Sequence, residues 1–113
     1  MRTSLETVAC SPPLSGTPLS QSQAEQIASL LKALADPVRL RLMSLVASHD
    51  GGEACVCDLT AAFNLSQPTI SHHLKVLHEG GLLERSKRGV WVYYKARSEA
   101  LDHVRTLISN LTS

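Results

Sequence analysis

At 113 residues the chain is long enough for one small domain, with a core marginal enough that many proteins of this size gain more by dimerising. A formal net charge of +1 says nothing about nucleic acid, no apolar run is long enough to span a membrane, and the first residues lack the basic start and apolar block of a signal peptide. Three cysteines, an odd number, in a chain read as cytoplasmic point to reduced thiols that act as ligands or redox groups rather than as structural staples.

Residues 1–19 carry Pro12, Pro13 and Pro18 among Ser and Thr and read as a tail without a core of its own, with Cys10 inside it. Residues 20–113 read as a single domain. Its first helix should begin near Ser20 or Ser22, where Ile27, Leu30, Leu31 and Leu34 recur at helical spacing. Asp36-Pro37 ends it and caps a second helix, because Asp is a good N-cap and Pro fits the first turn. That second helix is apolar over much of its circumference, through Val38, Leu40, Leu42, Met43, Leu45 and Val46, and should sit centrally. His49-Asp50-Gly51-Gly52 closes it.

A short third helix is expected over Val56 to Phe63, then a turn at Asn64-Leu65-Ser66. A fourth helix starts from the Ser66 cap, with Ile70, Leu74 and Leu77 as its core stripe, and stops at Gly80-Gly81. Two strand-like runs, Leu82 to Ser86 and Val90 to Lys95, flank a turn at Lys87-Arg88-Gly89. A last helix should run from Ser98 to Leu111. The fold class is therefore mainly α with a small β-hairpin. A short helix, a turn and a longer helix form a helix-turn-helix, and the hairpin that follows is a wing.

A recognition helix offers its N-terminal residues to base edges in the major groove. Here those are Gln67, Thr69, Ser71 and His72; Gln suits adenine edges, and Ser and Thr suit several bases. His73 and Lys75 add donors for phosphate. An ordinary solvated face would mix signs, whereas this helix has no acid before Glu79. Arg85, Lys87 and Arg88 in the wing suit phosphate or minor-groove contact, against the plainer reading of a solvated turn. From Lys32 to Arg97 nine Lys and Arg face six Asp and Glu, a modest basic bias. The expected partner is double-stranded DNA.

Cys55 and Cys57 stand at the start of the third helix, just ahead of this reader. Thiolates are favoured at such a place, and soft thiolates select thiophilic centres. Each could instead be a small buried apolar residue. Their position suggests a switch in which a thiophilic ligand binds and DNA is released.

From about Leu30 to Lys95 the chain resembles the ArsR/SmtB family of metal-responsive repressors. The matching residues are Leu34-Ala35-Asp36-Pro37-Val38-Arg39-Leu40, Cys55-Val56-Cys57-Asp58-Leu59, Leu65-Ser66-Gln67-Pro68-Thr69-Ile70-Ser71-His72-His73-Leu74, Gly81-Leu82-Leu83 and Val90-Trp91-Val92-Tyr93-Tyr94. The resemblance implies a winged-helix homodimer joined by its first and last helices, bringing Ile27, Leu30 and Leu31 to Leu107, Ile108 and Leu111. It implies operator binding that weakens when As(III) or Sb(III), or alternatively Cd(II) or Pb(II), takes the thiolates.

Two departures stand out. The position that often holds a third cysteine in the arsenic sensors is Thr60, and the positions that bind zinc on the last helix in some relatives correspond to Ser98, Ala100 and Leu111. Trivalent arsenic prefers three sulfurs, and Cys10 is the only other thiol in the chain, so by elimination it is the expected third ligand, from its own subunit or the partner. Cadmium or lead could add Asp58 or His49. A cysteine redox switch is the rival of a different class. An enzyme or metal carrier is disfavoured, because no base and substrate pocket accompany the thiols and a carrier needs neither reader nor wing.

Overall fold

The computed structural model describes residues 18–112; Cys10 and most of the expected tail lie outside them. Helix α1 spans Gln21–Leu34. Ser20 caps it reciprocally: its hydroxyl accepts from the Gln23 amide at 3.1 Å, and its own amide donates to Gln23 Oε1 at 2.9 Å.

Helix α2, Pro37–Ser48, begins at the expected cap, where Asp36 Oδ2 accepts from the amides of Val38 at 2.9 Å and Arg39 at 3.2 Å. The Arg39 amide foremost, then that of Val38 and the charges of Arg39 and His73, hold the Asp36 carboxyl below its ordinary value against a smaller opposing effect of desolvation. A depressed folded-state pKa contributes stability above the ordinary carboxylate value and loses it as pH falls through the folded value. Asp36→Ala should therefore lower the melting temperature at neutral pH, and the gap to wild type should close in acid. Thermal melts across an acid series read this directly; a gap that stays constant with pH would rule out the charge as its source.

Helix α3 is shorter than expected, Val56–Ala61, and α4 runs Gln67–Glu79 from its Ser66 cap. Between α2 and α3 lies a single 3-10 turn, Asp50–Gly52, and then a strand that the sequence reading did not anticipate, β1, Glu53–Cys55. The hairpin strands are β2, Leu83–Arg88, and β3, Trp91–Ala96. The turn between them is Gly89-Val90, two residues later than expected, with Gly89 at φ 63° as a two-residue hairpin turn requires. β1 takes the free edge of β3, giving an antiparallel sheet in the order β1-β3-β2. Helix α5, Ser98–Thr112, completes the described residues.

The core forms where α2, α3 and α4 meet the sheet. Leu42, Val46, Leu59, Ile70, Leu74, Leu77 and Leu82 are fully buried, each contributing roughly 1.5–3 kcal/mol by leaving water. The expected α4 stripe is borne out at all three positions. Leu40 is more than half exposed, so α2 is less enclosed than its composition suggests. The C-terminal ends of α1 and α4 touch closely: a Cβ on Gly80 would stand 2.9 Å from Ala33 Cβ and 3.1 Å from the Val76 carbonyl oxygen. No helix among the described residues is long and apolar enough to cross a membrane.

Candidate functional site

The thiol pair sits at the junction of β1 and α3. Cys55 ends the strand in extended backbone, φ −75° and ψ 146°, and caps the helix, its Sγ accepting from the Cys57 amide at 3.3 Å. That geometry leaves the two Cα atoms 5.3 Å apart, within the range of a disulfide, and the sulfurs stand in disulfide contact. The sequence reading expected two reduced thiols here. An extended residue leading into a helical one turns both side chains to the same side, so the sulfurs meet. Cys55 is buried and Cys57 exposed. Thr60, where a third cysteine would stand, donates its hydroxyl to the Val56 carbonyl at 2.9 Å. Among the described residues no three His, Cys, Asp or Glu side chains gather as a metal site. His49 has its Nδ1 on the Leu45 carbonyl at 2.7 Å, and Asp58 is exposed. Cys10, the expected third ligand, lies outside the described residues.

The reader helix divides its candidate residues. Gln67, Thr69, Ser71 and His72 are all exposed. Thr69 shares its hydroxyl with the Ser66 cap at 2.9 Å. Gln67 and Ser71, one turn apart, face toward the thiols, while His72 lies farther round the outer face beside Lys75. Lys75 approaches Glu79 at 4.0 Å, an exposed pair of small worth. His73 turns inward and is half-buried. Its Nδ1 stands 3.3 Å from Arg39 Nη1, a contact in which this nitrogen accepts from the guanidinium only when the ring is neutral. Arg39 Nε also donates to the Ala33 carbonyl at 2.6 Å, closing the C-terminal end of α1.

The wing divides its cations too. Arg85 and Lys87 alternate onto one face of β2, opposite Tyr94 and Val92 of β3, and no ion pair engages either among the described residues. Arg88 lies on the other face and folds back. Its Nη2 donates to a Glu53 carboxylate oxygen at 2.6 Å, and its guanidinium rests 4.4 Å from the Tyr93 ring centre. Tyr94 is buried as hairpin core, whereas Trp91 is 54% exposed and Val90 84%.

One cleft of about 660 Å³ joins these parts. Cys55, Cys57 and Thr60 line one wall, Gln67 and Ser71 of α4 another, and Arg85 with Trp91 the wing side. Thr69, His72, His73 and Lys75 stay outside it. Sequence reasoning missed Glu53, Tyr93 and Arg39, whose partners lie far along the chain. A second groove, about 720 Å³, runs between α1 and α5, lined by Leu19, Ile27, His103, Leu107 and Leu111 among others. Leu31, Ile108 and Leu111 are exposed beside it, whereas Leu30 is spent on the chain's own core, which corrects its expected place across a dimer.

Comparison with known proteins places the fold. The family model described as "Bacterial regulatory protein, arsR family" matches residues 36–85, from the α2 cap through the first part of the wing. The chain is 39% identical over 80 residues to an arsenical resistance operon repressor of Staphylococcus xylosus, covering 71% of this chain and 74% of that one. It is 43% identical over 82 residues to the arsenic resistance transcriptional regulator ArsR1 of Pseudomonas putida, covering 73% of this chain. The match spans only 62% of that regulator's length. Among solved structures, one described as a possible transcriptional regulator for arsenical resistance superposes with a TM-score of 0.65 at 36% identity, covering 74% of this chain and 83% of that one.

Proposed function

The chain belongs to the arsR family of bacterial regulatory proteins, and from that premise we propose that it is a homodimeric, cytoplasmic repressor that releases operator DNA when As(III) or Sb(III) occupies the Cys55 and Cys57 thiolates. The observation that carries this reading is the cleft in which both sulfurs share walls with Gln67, Ser71 and Arg85. A change at the thiols has DNA-facing side chains of both α4 and the wing within one cavity.

In this reading α4 enters the major groove and the wing follows the backbone. Gln67 and Ser71, with Thr69 and His72, read bases; Arg85, Lys87, Lys75 and His73 supply charge and hydrogen bonds to phosphate. The donor set suits the inducer: two sulfurs on one cavity wall, one buried and one exposed, match a thiophilic centre and no hard cation. A trivalent arsenic or antimony centre supplies affinity for thiolate sulfur. Once a thiol reductant has opened the sulfur contact, supplying two electrons and two protons, Cys55 and Cys57 would lose their thiol protons to hold it, and Cys10 from the same or the partner's tail would supply the third sulfur. Because Cys55 is both the end of β1 and the cap of α3, a new position for its sulfur alters the start of the helix that precedes the reader. Release then requires that the inducer favour the arrangement that fits DNA less well, a coupling of about 1–3 kcal/mol. The same thiolates would take Cd(II) or Pb(II), the runner-up inducers.

The sulfur contact favours a second reading, a redox switch. Cys55 and Cys57 would lose two protons and two electrons to a peroxide, forming their S–S bond while the peroxide is reduced to two waters. Operator release measured with arsenite, antimonite, cadmium, lead and zinc under reducing conditions separates the two. Release by peroxide alone would replace the metalloid reading with the redox one.

The DNA assignment has its own test. Gln67→Ala and Ser71→Ala should shift base preference, whereas Arg85→Ala and Lys87→Ala should weaken binding alike for all sequences. Each of the latter should also flatten the plot of log affinity against log salt by about 1. Titrations against a panel of operator variants at several salt concentrations read both effects. Base preference that followed the wing residues and ignored α4 would reverse the roles.

A further inference from the structure

The wing's third cation is held by an acid of the strand that carries the sensor thiol. Glu53 and Cys55 are two residues apart on β1, and Cys55 pairs directly with Tyr93 of β3. The Tyr93 ring in turn carries the Arg88 guanidinium, whose far nitrogen reaches across β3 to Glu53 at 2.6 Å. Arg88 is also the last residue of β2, next to the Gly89-Val90 turn, so its stem leaves the sheet at the wing tip although its charged end folds back.

We infer that Glu53 and Tyr93 form a latch on the wing, in which Glu53 and DNA phosphate compete for the one Arg88 guanidinium. The inference rests on the reading of the hairpin as a DNA-binding wing. A guanidinium makes strong charge-assisted bonds to carboxylate and to phosphate alike, and it cannot satisfy both in the same direction. With the latch closed, Arg88 is withheld from DNA, and only Arg85 and Lys87 on the opposite face remain directed to phosphate. With it open, the wing gains one more phosphate contact. Glu53 sits on the same three-residue strand as Cys55, so displacement of Cys55 by its ligand moves the acid that holds Arg88. Glu53 and Tyr93 are positioning residues: they touch neither DNA nor inducer.

The effect should be modest, because the Arg88 side chain is 54% exposed and the Glu53 side chain 26%. The test uses the full chain and a random-sequence DNA duplex, so no operator need be known. Glu53→Gln is compared with Glu84→Gln, which removes the same charge from an exposed acid of the same sheet that has no ion pair among the described residues. Glu53→Gln should tighten binding about two- to five-fold more than the control. It should also steepen the salt dependence by about 1, the signature of an added phosphate contact. In an Arg88→Ala background the two Gln variants should become equal. With arsenite present, the ratio of free to induced affinity should rise in Glu53→Gln relative to wild type, because displacement of Glu53 already frees Arg88 in the induced wild-type chain.

Equal behaviour of the two Gln variants in the parent background would overturn the latch, as would an advantage that persists without Arg88. An unchanged arsenite ratio would sever it from the thiols. Failure of the wild-type chain to bind the duplex at all would instead overturn the DNA-binding function beneath it.

Discussion

The Cys55→Ser and Cys57→Ser proteins will bind operator as tightly as wild type and will fail to release it with arsenite. The hydroxyl of serine is a better N-cap than sulfur, so the α3 start held by the Cys55 side chain survives the first substitution. Cys57 is exposed and its side chain caps nothing, so the second costs only the sulfur contact, which the first variant loses as well. What both remove is a soft, ionisable ligand, and a hydroxyl is too hard and too weakly acidic to take its place. Losing one of the two sulfurs should raise the arsenite concentration for half-release beyond any reached in solution. Cys10→Ser should have a smaller effect, with partial release at higher arsenite. X-ray absorption at the arsenic edge should count three sulfurs in wild type and fewer in Cys10→Ser. A three-sulfur shell in that variant without added thiol would remove Cys10 from the site. Full release from either serine variant would remove the pair itself.

The second large effect concerns assembly. Leu107→Asp and Leu111→Asp should turn a dimer into a monomer and reduce operator affinity by orders of magnitude. Leu107 and Leu111 line the α1–α5 groove, and Leu31, Ile108 and Leu111 leave an apolar band beside it. A two-fold interface would cover that band with its own copy. A carboxylate placed there would have to be buried without a partner, which costs far more than the contact provides. Leu111 is 75% exposed within one chain, so its substitution tests the interface without disturbing the protomer. Affinity falls because two linked readers bind half-sites in concert, whereas separate ones do not. Sedimentation gives the mass and fluorescence anisotropy the affinity. A wild-type chain that is monomeric at micromolar concentration and binds operator fully would sink the proposal.

How far the sequence foretold this arrangement depends on how local each feature is. Ser20, Asp36 and Ser66 cap helices through amides two or three residues ahead, so each cap could be read from a short window. The Ile70, Leu74 and Leu77 stripe follows from helical period alone. Strand β1 could not be read this way, because three residues are too few for alternation to show and its partner lies some forty positions later. For the same reason the wing turn was displaced: Arg88 looked like a turn residue until its pairing with Trp91 placed it in β2. Cys55 and Cys57 were legible because they are nearly adjacent in the chain. Their shared cavity with Gln67, Ser71 and Arg85 was not, since three elements must pack before it exists. Glu53 gave no signal at all; an acid ahead of a cysteine pair has no meaning until the sheet brings Arg88 to it.

The touch between Gly80 and Ala33 has a mechanical consequence. It is a close approach of α4 to α1, with no room for a side chain between them, and it falls at the end of α4 remote from Gln67. Such a contact serves as a fulcrum. The helix beyond it, 13 residues at about 1.5 Å each, is a lever of roughly 20 Å. A tilt of about 10° around Gly80 would sweep the Gln67 end through roughly 3 Å, more than the whole range over which a hydrogen bond to a base edge survives. The thiols stand beside the long end of that lever, where a small push has the largest mechanical advantage.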